Sequence, residues 1–290
     1  GTAITGKPHI GYFVWALKLS DFLRAGFKVK VLLADLHGAL DNCPWENLEK
    51  RYNYYEKVIP LMFKSIGVDT KNLEFVKGSD FQLKKEYVFD VLRMSTFTSV
   101  HDATKAASEV VKLGDNPKLS GILYPLMQAL DEVYLDADVQ YGGVDQRKIM
   151  VLARETLPRL DYEKRIEIMN PLIPGLIGKK MSASEPKSKI DLLDSPERVK
   201  QKINSAECIA GDSNNGVMAF LKYVIMTIKW DKKENFVIKR VKKFGGDLKL
   251  FNADSLETLY SENKIHPMDL KNTVIEYLEG IINPIRKKYK

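Results

Sequence analysis

The first half of the chain alternates short apolar runs with long amphipathic stretches, and that alternation leaves few folds open. Lys28-Val-Lys-Val-Leu-Leu-Ala34 is an apolar run that ends at Asp35. Leu73-Glu-Phe-Val76 and Val139-Gln-Tyr141 are of the same kind, and Arg165-Ile-Glu-Ile-Met169 ends at Asn170-Pro171. Between them lie helical patterns: Pro8 to Ala25, stopped by Gly26, and Trp45 to Ile66, stopped by Gly67. Strands separated by helices of this length cannot close as hairpins. They predict a parallel sheet built from right-handed crossovers.

From about Ser195 the pattern becomes mostly helical. Asp194-Ser195-Pro196-Glu197 supplies an N-cap candidate followed by proline in the first turn. Further helical patterns run from Asn215 to Ile228 and from about Pro267 to Tyr289. The change divides the chain into residues 1–192 and residues 193–290. The net charge of +7 follows the same division, since residues 193–290 hold 18 Lys and Arg against 13 Asp and Glu. A solvated helical surface would account for that excess, and so would a face that binds a polyanion.

No run of eighteen apolar residues occurs, so no membrane span is expected. No charged and apolar leader opens the chain, which argues against secretion. Cys43 and Cys208 are far apart and in no metal-like spacing, so they read as free thiols in a reducing compartment. Gly1-Thr-Ala-Ile-Thr-Gly-Lys7 reads as the end of a strand entering a loop, which predicts a missing N-terminal piece.

The same opening segment carries chemistry. Gly1-xxxx-Gly6-Lys7 has P-loop spacing, but Pro8 stands where magnesium binding needs Ser or Thr. A different phosphate site at that place is the better expectation: Pro8 would start a helix whose free N–H groups favour an anion. His9 would then face phosphates from the first turn, and Gly11 would leave flat space for an adenine. A lone histidine on a helix is more often structural, so this reading needs a partner motif. Gly178-Lys179-Lys180-Met181-Ser182-Ala183-Ser184 supplies it, as a cationic loop after a late strand.

Pro8-His9-Ile10-Gly11-Tyr12 resembles the His-Ile-Gly-His signature of class I aminoacyl-tRNA synthetases. Lys180-Met181-Ser182-Ala183-Ser184 resembles their Lys-Met-Ser-Lys-Ser loop. Ala34-Asp-Leu-His37, Tyr124-Pro-Leu-Met-Gln-Ala-Leu-Asp131, Gly142-Gly-Val-Asp-Gln-Arg-Lys148, Phe244-Gly-Gly-Asp247 and His266-Pro-Met-Asp-Leu-Lys-Asn272 narrow the likeness. They are similar to strings of the tyrosyl-tRNA synthetases of the archaeal and eukaryotic cytosolic branch. Tyr12 and Ala183 depart from the two signatures, and a bound monovalent cation, or a neighbour such as Lys179, Lys187 or Lys189, is a candidate to replace the charge missing at Ala183.

The resemblance implies a doubly wound, Rossmann-like parallel sheet in a catalytic domain of residues 1–192. A helical insertion at about 80–135 would form a homodimer interface, and a mostly α-helical domain at 193–290 would bind the anticodon. It implies a cytoplasmic tyrosine–tRNA ligase whose partners are L-tyrosine, ATP with Mg2+, and tRNA(Tyr), with no tightly bound protein metal. His9 and Lys180, helped by Thr5 and Ser182, would stabilise charge developing on phosphate. His9, Gly11, Asp145, Lys180, Met181 and Ser182 would bind ATP, with Asp145 on the ribose. Tyr124, Gln128 and Asp131 recur at i, i+4 and i+7, one face of a helix, where an amphipathic pattern would spend apolar residues. Asp131 can accept the substrate's phenolic proton, Tyr124 and Gln128 can hold its ammonium, and the resemblance adds Gln146 beside them. Arg147 would read the first base pair of the acceptor stem, and Phe244 and Asp269 the first anticodon base. Two other readings stay open: a non-catalytic RNA-binding or signalling protein on a synthetase fold, and a tryptophanyl-tRNA synthetase.

Overall fold

The computed structural model describes residues 1–178, 181 and 185–289, in a mixed α/β fold. In chain order the elements begin β1 (Thr2–Ala3), α1 (Tyr12–Arg24), β2 (Val29–Ala34), α2 (Asp35–Leu40), α3 (Leu48–Ser65) and β3 (Leu73–Lys77). Next come α4 (Ser79–Gln82), α5 (Lys85–Ser95), α6 (Val100–Ala107), α7 (Leu119–Tyr134), β4 (Val139–Gly143), α8 (Arg147–Thr156) and β5 (Ile166–Asn170). The rest is α9 (Pro196–Asn204), α10 (Gly216–Phe220), α11 (Thr227–Asp231), β6 (Phe236–Ile238), β7 (Leu248–Leu250), α12 (Ala253–Ser261) and α13 (Pro267–Lys288).

The chain divides into two compact units. The first comprises Gly1–Thr5, Lys28–Glu56 and Leu73–Leu172. In it β1, β2 and β3 pair in parallel, with Ala3 opposite Ala34 and Val31 opposite Phe75. β4 and β5 form a second parallel pair, with Val139 opposite Ile166. β2 is buried at five of its six positions, as a parallel strand covered on both faces requires. The predicted strands are therefore present, and the apolar runs stand within a residue or two of the observed ends. The region 80–135 is helical, and its apolar faces fill a core of Phe81, Tyr87, Met94, Ala103, Leu126 and Leu130.

The second unit comprises Gly6–Phe27, Lys57–Asn72 and Ile173–Lys290. Its core holds Phe13 of α1, Met62 and Phe63 of α3, Phe220 of α10, and Leu278 and Ile282 of α13, all with 1% exposure or less. Gly26 and Gly67 follow α1 and α3 with φ of +88° and +81°, the left-handed conformation that ends helices at low cost. Ser195 caps α9 by accepting from Arg198 N at 3.3 Å, and Pro196 takes the first helical position. α10 and α11 are joined through a π-helical turn, Leu221–Met226.

Two elements differ from expectation. The short antiparallel pair β6–β7 interrupts the helical second part, with Phe236 opposite Leu250. Three-residue strands carry too few side chains for alternation to be recognised. α1 begins at Tyr12 and not at Pro8, because Pro8 and His9 are drawn into extended pairing with a distant segment. Cys43 and Cys208 are both free. Among the described residues, no helix is long and apolar enough to cross a membrane.

Gly216 opens α10 where the chain passes closest to itself. A Cβ there would stand 2.2 Å from Gly175 O and 3.0 Å from Pro174 O, both backbone atoms that no rotamer change can move. Gly216→Ala should therefore destabilise the protein by about 1–3 kcal/mol, the usual range for overpacking. An unaltered thermal midpoint would show that this approach does not exist.

Candidate functional site

In the first unit the predicted polar face of α7 is real and lies inward. Tyr124 and Asp131 are buried and Gln128 is half-buried. Asp131 Oδ1 accepts from Gln82 Nε2 at 2.7 Å and from the Tyr87 hydroxyl at 2.8 Å. Both donors fall on one oxygen. Oδ2 faces His37 Nε2 at 3.7 Å, beyond hydrogen-bond reach, and that nitrogen has no hydrogen-bond partner among the described residues. Edge-on packing of the Tyr124 and His37 rings, 4.6 Å between centroids, fixes the imidazole. Burial raises the Asp131 carboxyl above the usual carboxylate range, while His37 and the bonds from Gln82 and Tyr87 pull it back. Burial likewise lowers the pKa of His37. The result is a buried acceptor with one oxygen saturated and the other turned toward an unsatisfied nitrogen.

In the middle of the face, Gln128 Nε2 donates to Gln146 Oε1 at 3.0 Å, so the two predicted amides are brought together. Asp145 and Gln146 lie in a short turn, Val144–Gln146, at the carboxyl end of β4, the edge of a parallel sheet where ligands bind. The cap position of α8 falls on Gln146, not Asp145. Arg147 is exposed, and Thr5 is half-buried, its carbonyl accepting from Arg51. His37, Gln82 and Tyr87 were not singled out as site residues. His37 could have been, since a polar string directly after a buried strand marks a carboxyl end. No local pattern distinguishes Gln82 or Tyr87.

In the second unit the environment of His9 corrects the sequence reading. His9 is not on the first turn of a helix. It forms an antiparallel bridge with Asp191, with Ile10 N donating to Ile190 O at 2.9 Å and Leu192 N to Pro8 O at 3.1 Å. The amides that were to greet an anion are spent. Tyr12 N, Phe13 N and Val14 N donate to the carbonyls of His9, Ile10 and Gly11, and Gly11 N donates to His9 Nδ1 at 3.2 Å. That last bond has a chemical consequence. With Nδ1 acting as acceptor, the proton of the neutral ring is assigned to Nε2, which becomes the donor. Burial, then the nearby Lys189 ammonium, lower the His9 pKa to about 3. The ring is therefore neutral at physiological pH.

The missing side chain of Gly11 serves packing: a Cβ would meet the His9 ring at 2.9 Å and the Met181 sulfur at 3.1 Å. Met181 is itself buried. Lys180 and Ser182 lie outside the described residues, as do Lys179, Ala183 and Ser184. Phe244 is 60% exposed beside the glycines of the turn between β6 and β7, so it does not pack in a core. Asp269 is half-buried and caps α13, accepting from His266 N at 3.4 Å, a long bond.

Compared with known proteins, the chain matches the model of the tRNA synthetases class I (W and Y) over residues 1–283. It is 51% identical to the cytoplasmic tyrosine–tRNA ligase of Xenopus tropicalis, over 100% of this chain and 54% of that protein. It is 50% identical to the corresponding enzyme of Saccharomyces cerevisiae, over 100% of this chain and 75% of that one. The chain thus spans about half the length of the vertebrate relatives it matches. A solved structure, the tyrosyl-tRNA synthetase of Archaeoglobus fulgidus complexed with L-tyrosine, superposes with a TM-score of 0.91 at 37% identity, covering 100% of this chain and 89% of that one.

The depressed His9 pKa has a measurable cost. Between the unfolded value of 6.5 and the folded value of about 3, the unfolded chain binds a proton that the folded one refuses. Stability must therefore fall as pH drops through that window, by several kcal/mol at its acid end. His37 adds to the same slope, its pKa also being lowered. In His9→Gln the proton uptake on unfolding near pH 5 should be smaller by about one. Chemical unfolding across pH 4–7 measures it, and identical slopes in the two proteins would mean that His9 is not held neutral by the fold.

Proposed function

Since the chain belongs to the class I tRNA synthetases of the W and Y family, we propose that it is the catalytic and anticodon-reading part of a tyrosine–tRNA ligase. It activates L-tyrosine with ATP and transfers the tyrosyl group to the 3′-terminal ribose of tRNA(Tyr). The observation that carries the choice of amino acid is the buried Asp131 carboxylate that faces the unsatisfied His37 Nε2. Its Oδ2, beside the unsatisfied His37 Nε2, suits a phenolic hydroxyl that donates to one and accepts from the other. An indole has no hydroxyl to offer there, which sets tryptophan aside.

The finer architecture proposed is a doubly wound, Rossmann-like sheet in residues 1–192 and an anticodon-binding domain in 193–290. The insertion at about 80–135 is the homodimer interface. Support for the interface comes from Leu83, Phe89 and Leu92, each at least 60% exposed around α5, more apolar surface than a solvated helix usually shows. A cytoplasmic location is proposed from the names of the relatives.

Activation is an in-line attack of the tyrosine carboxylate on the α-phosphorus, which releases pyrophosphate. The protein positions the reactants and meets the charge that develops. Asp131 orients the phenol. Tyr124, Gln128 and Gln146 hold the ammonium, Gln146 Oε1 exchanging its bond from Gln128 for one from the substrate. His9 donates from Nε2 to a phosphate oxygen, Lys180 supplies positive charge, and Thr5 and Ser182 are lesser donors. Gly11 and Met181 border the nucleotide, and Asp145 accepts from the ribose. Magnesium travels on the ATP, held by phosphate oxygens and water. Among the described residues no cluster of His, Cys, Asp or Glu could hold a metal ion. Arg147 meets the acceptor stem, Phe244 stacks on the first anticodon base, and Asp269 accepts from its Watson–Crick edge.

ATP–pyrophosphate exchange tests the reading directly. Tyrosine should support exchange while tryptophan and phenylalanine do not, and exchange driven by tryptophan, or by no amino acid, overturns it. His9→Ala and Lys180→Ala should each slow adenylate formation by roughly 100-fold or more, the usual loss for one preorganised donor. Asp131→Ala should raise the tyrosine KM and shrink the preference over phenylalanine, because the acceptor matched to the hydroxyl is gone.

Phe244→Ala and Asp269→Ala should cut aminoacylation of tRNA while leaving exchange almost untouched. Asp269→Ala should also blunt discrimination against a tRNA with another base at the first anticodon position. A parallel fall of exchange and aminoacylation in both variants would assign these residues to the fold.

A further inference from the structure

We infer that Lys189 is a positioning residue for His9: anchored by Asp191, its ammonium pins the carbonyl of Lys7 and so fixes the backbone that carries the imidazole. The inference rests on the proposed role of His9 at the phosphates.

Lys189 is 3% exposed, an unusual place for an ammonium group. Its Nζ forms an ion pair with Asp191 Oδ1 at 2.7 Å and donates to Lys7 O at 3.1 Å. An ammonium so buried, paired with the half-buried Asp191, does not explain itself through stability, because well-packed apolar residues of the same volume generally do as well or better. It is also a poor candidate to replace the charge missing at Ala183, since it is committed to Asp191 and shielded from solvent. What it does reach is the main chain just before His9.

The geometry makes that contact consequential. The backbone around His9 is held at Pro8 O by Leu192 N and at Ile10 N by Ile190 O. Both bonds come from the strand segment that also carries Lys189, and both leave the chain free to pivot on the N-terminal side of Pro8. The bond from Lys189 to Lys7 O closes that side. His9 is then bracketed at residues 7, 8 and 10, and its ring is fixed by Gly11 N on Nδ1. Rotation of the 7–8 peptide would swing the imidazole and move Nε2 away from a phosphate oxygen. The ammonium has a second effect, since its charge is among the causes that keep the ring unprotonated.

Two variants test this, with circular dichroism and thermal melts to establish folding. Lys189→Met keeps the shape and removes the charge and the bond. Adenylate formation in single turnover should fall about 10- to 100-fold, as for loss of one charged hydrogen bond, with the tyrosine KM unchanged. The His9 ring proton signal, followed by NMR, should titrate at higher pH than in the wild type. Asp191→Asn leaves Lys189 in place but without its anchor, so the rate should fall while His9 becomes no easier to protonate. A folded Lys189→Met with the wild-type rate and an unmoved His9 titration overturns the proposal. Failure of both variants to fold also overturns it, making the pair a structural tie. A wild-type protein that forms no adenylate at all would sink the functional reading and this role with it, whereas a wild type that forms adenylate beside an unimpaired Lys189→Met sinks the positioning alone.

Discussion

A short antiparallel bridge between His9 and Asp191 is the contact on which the placement of the His9 ring depends. Two backbone hydrogen bonds tie residues 8–10 to residues 190–192 across most of the length of the chain. Closing so long a loop is entropically costly, though the cost grows only logarithmically with length. What the bridge secures is local. It holds Pro8 and His9 out of the helix that follows, and it places Lys189 behind them. The bond from Gly11 N to Nδ1 sets the tautomer there, and burial, with the Lys189 charge, keeps the ring neutral.

In the first unit the cluster around Asp131 is governed by the burial of polar groups. Asp131 is 4% exposed, so each of its oxygens must be matched or the fold bears the loss. Gln82 and Tyr87 match one oxygen from two different helices, α4 and α5, while the helix α7 that carries Asp131 supplies none. The other oxygen faces His37 Nε2 at 3.7 Å, and that nitrogen has no hydrogen-bond partner among the described residues. Gln82 Oε1 is a further unsatisfied buried atom in the same cluster. Such concentration of unmatched polarity in a well-packed core is what a binding site looks like before its ligand arrives.

Much of this was legible in the residues, for stated physical reasons. The runs at 28–34, 73–76, 139–141 and 165–169 were short and set apart by helical stretches, which marks parallel strands, and β2 is the one buried at five of its six positions. Tyr124, Gln128 and Asp131 broke a helical apolar face at helical spacing, and the face does line a polar cluster. What stayed hidden was pairing at long range. Nothing near Pro8 announces Ile190, so the helix was expected to start four residues early, and the anion site was assigned to amides that are already bonded. Gln82 and Tyr87 were invisible for the same reason: their meaning lies in where Asp131 is, 49 and 44 residues away. The hairpin of β6 and β7 was missed because three residues are too few to show a period.

If His9 serves the phosphates as proposed, its neutral imidazole also bears on how such a site lets go. A charged donor binds phosphate oxygens roughly twice as strongly as a neutral one. That strength would act on every anion that visits, including the pyrophosphate that must leave. A cation fixed at this point would tend to trap the product and to collect free phosphate between turnovers. A neutral N–H, aimed and held rigid, is selective by direction instead: it serves an oxygen that arrives along its axis and keeps little hold on one that has drifted. In the proposed role, the bond from Gly11 N to Nδ1 would therefore favour release as well as reaction.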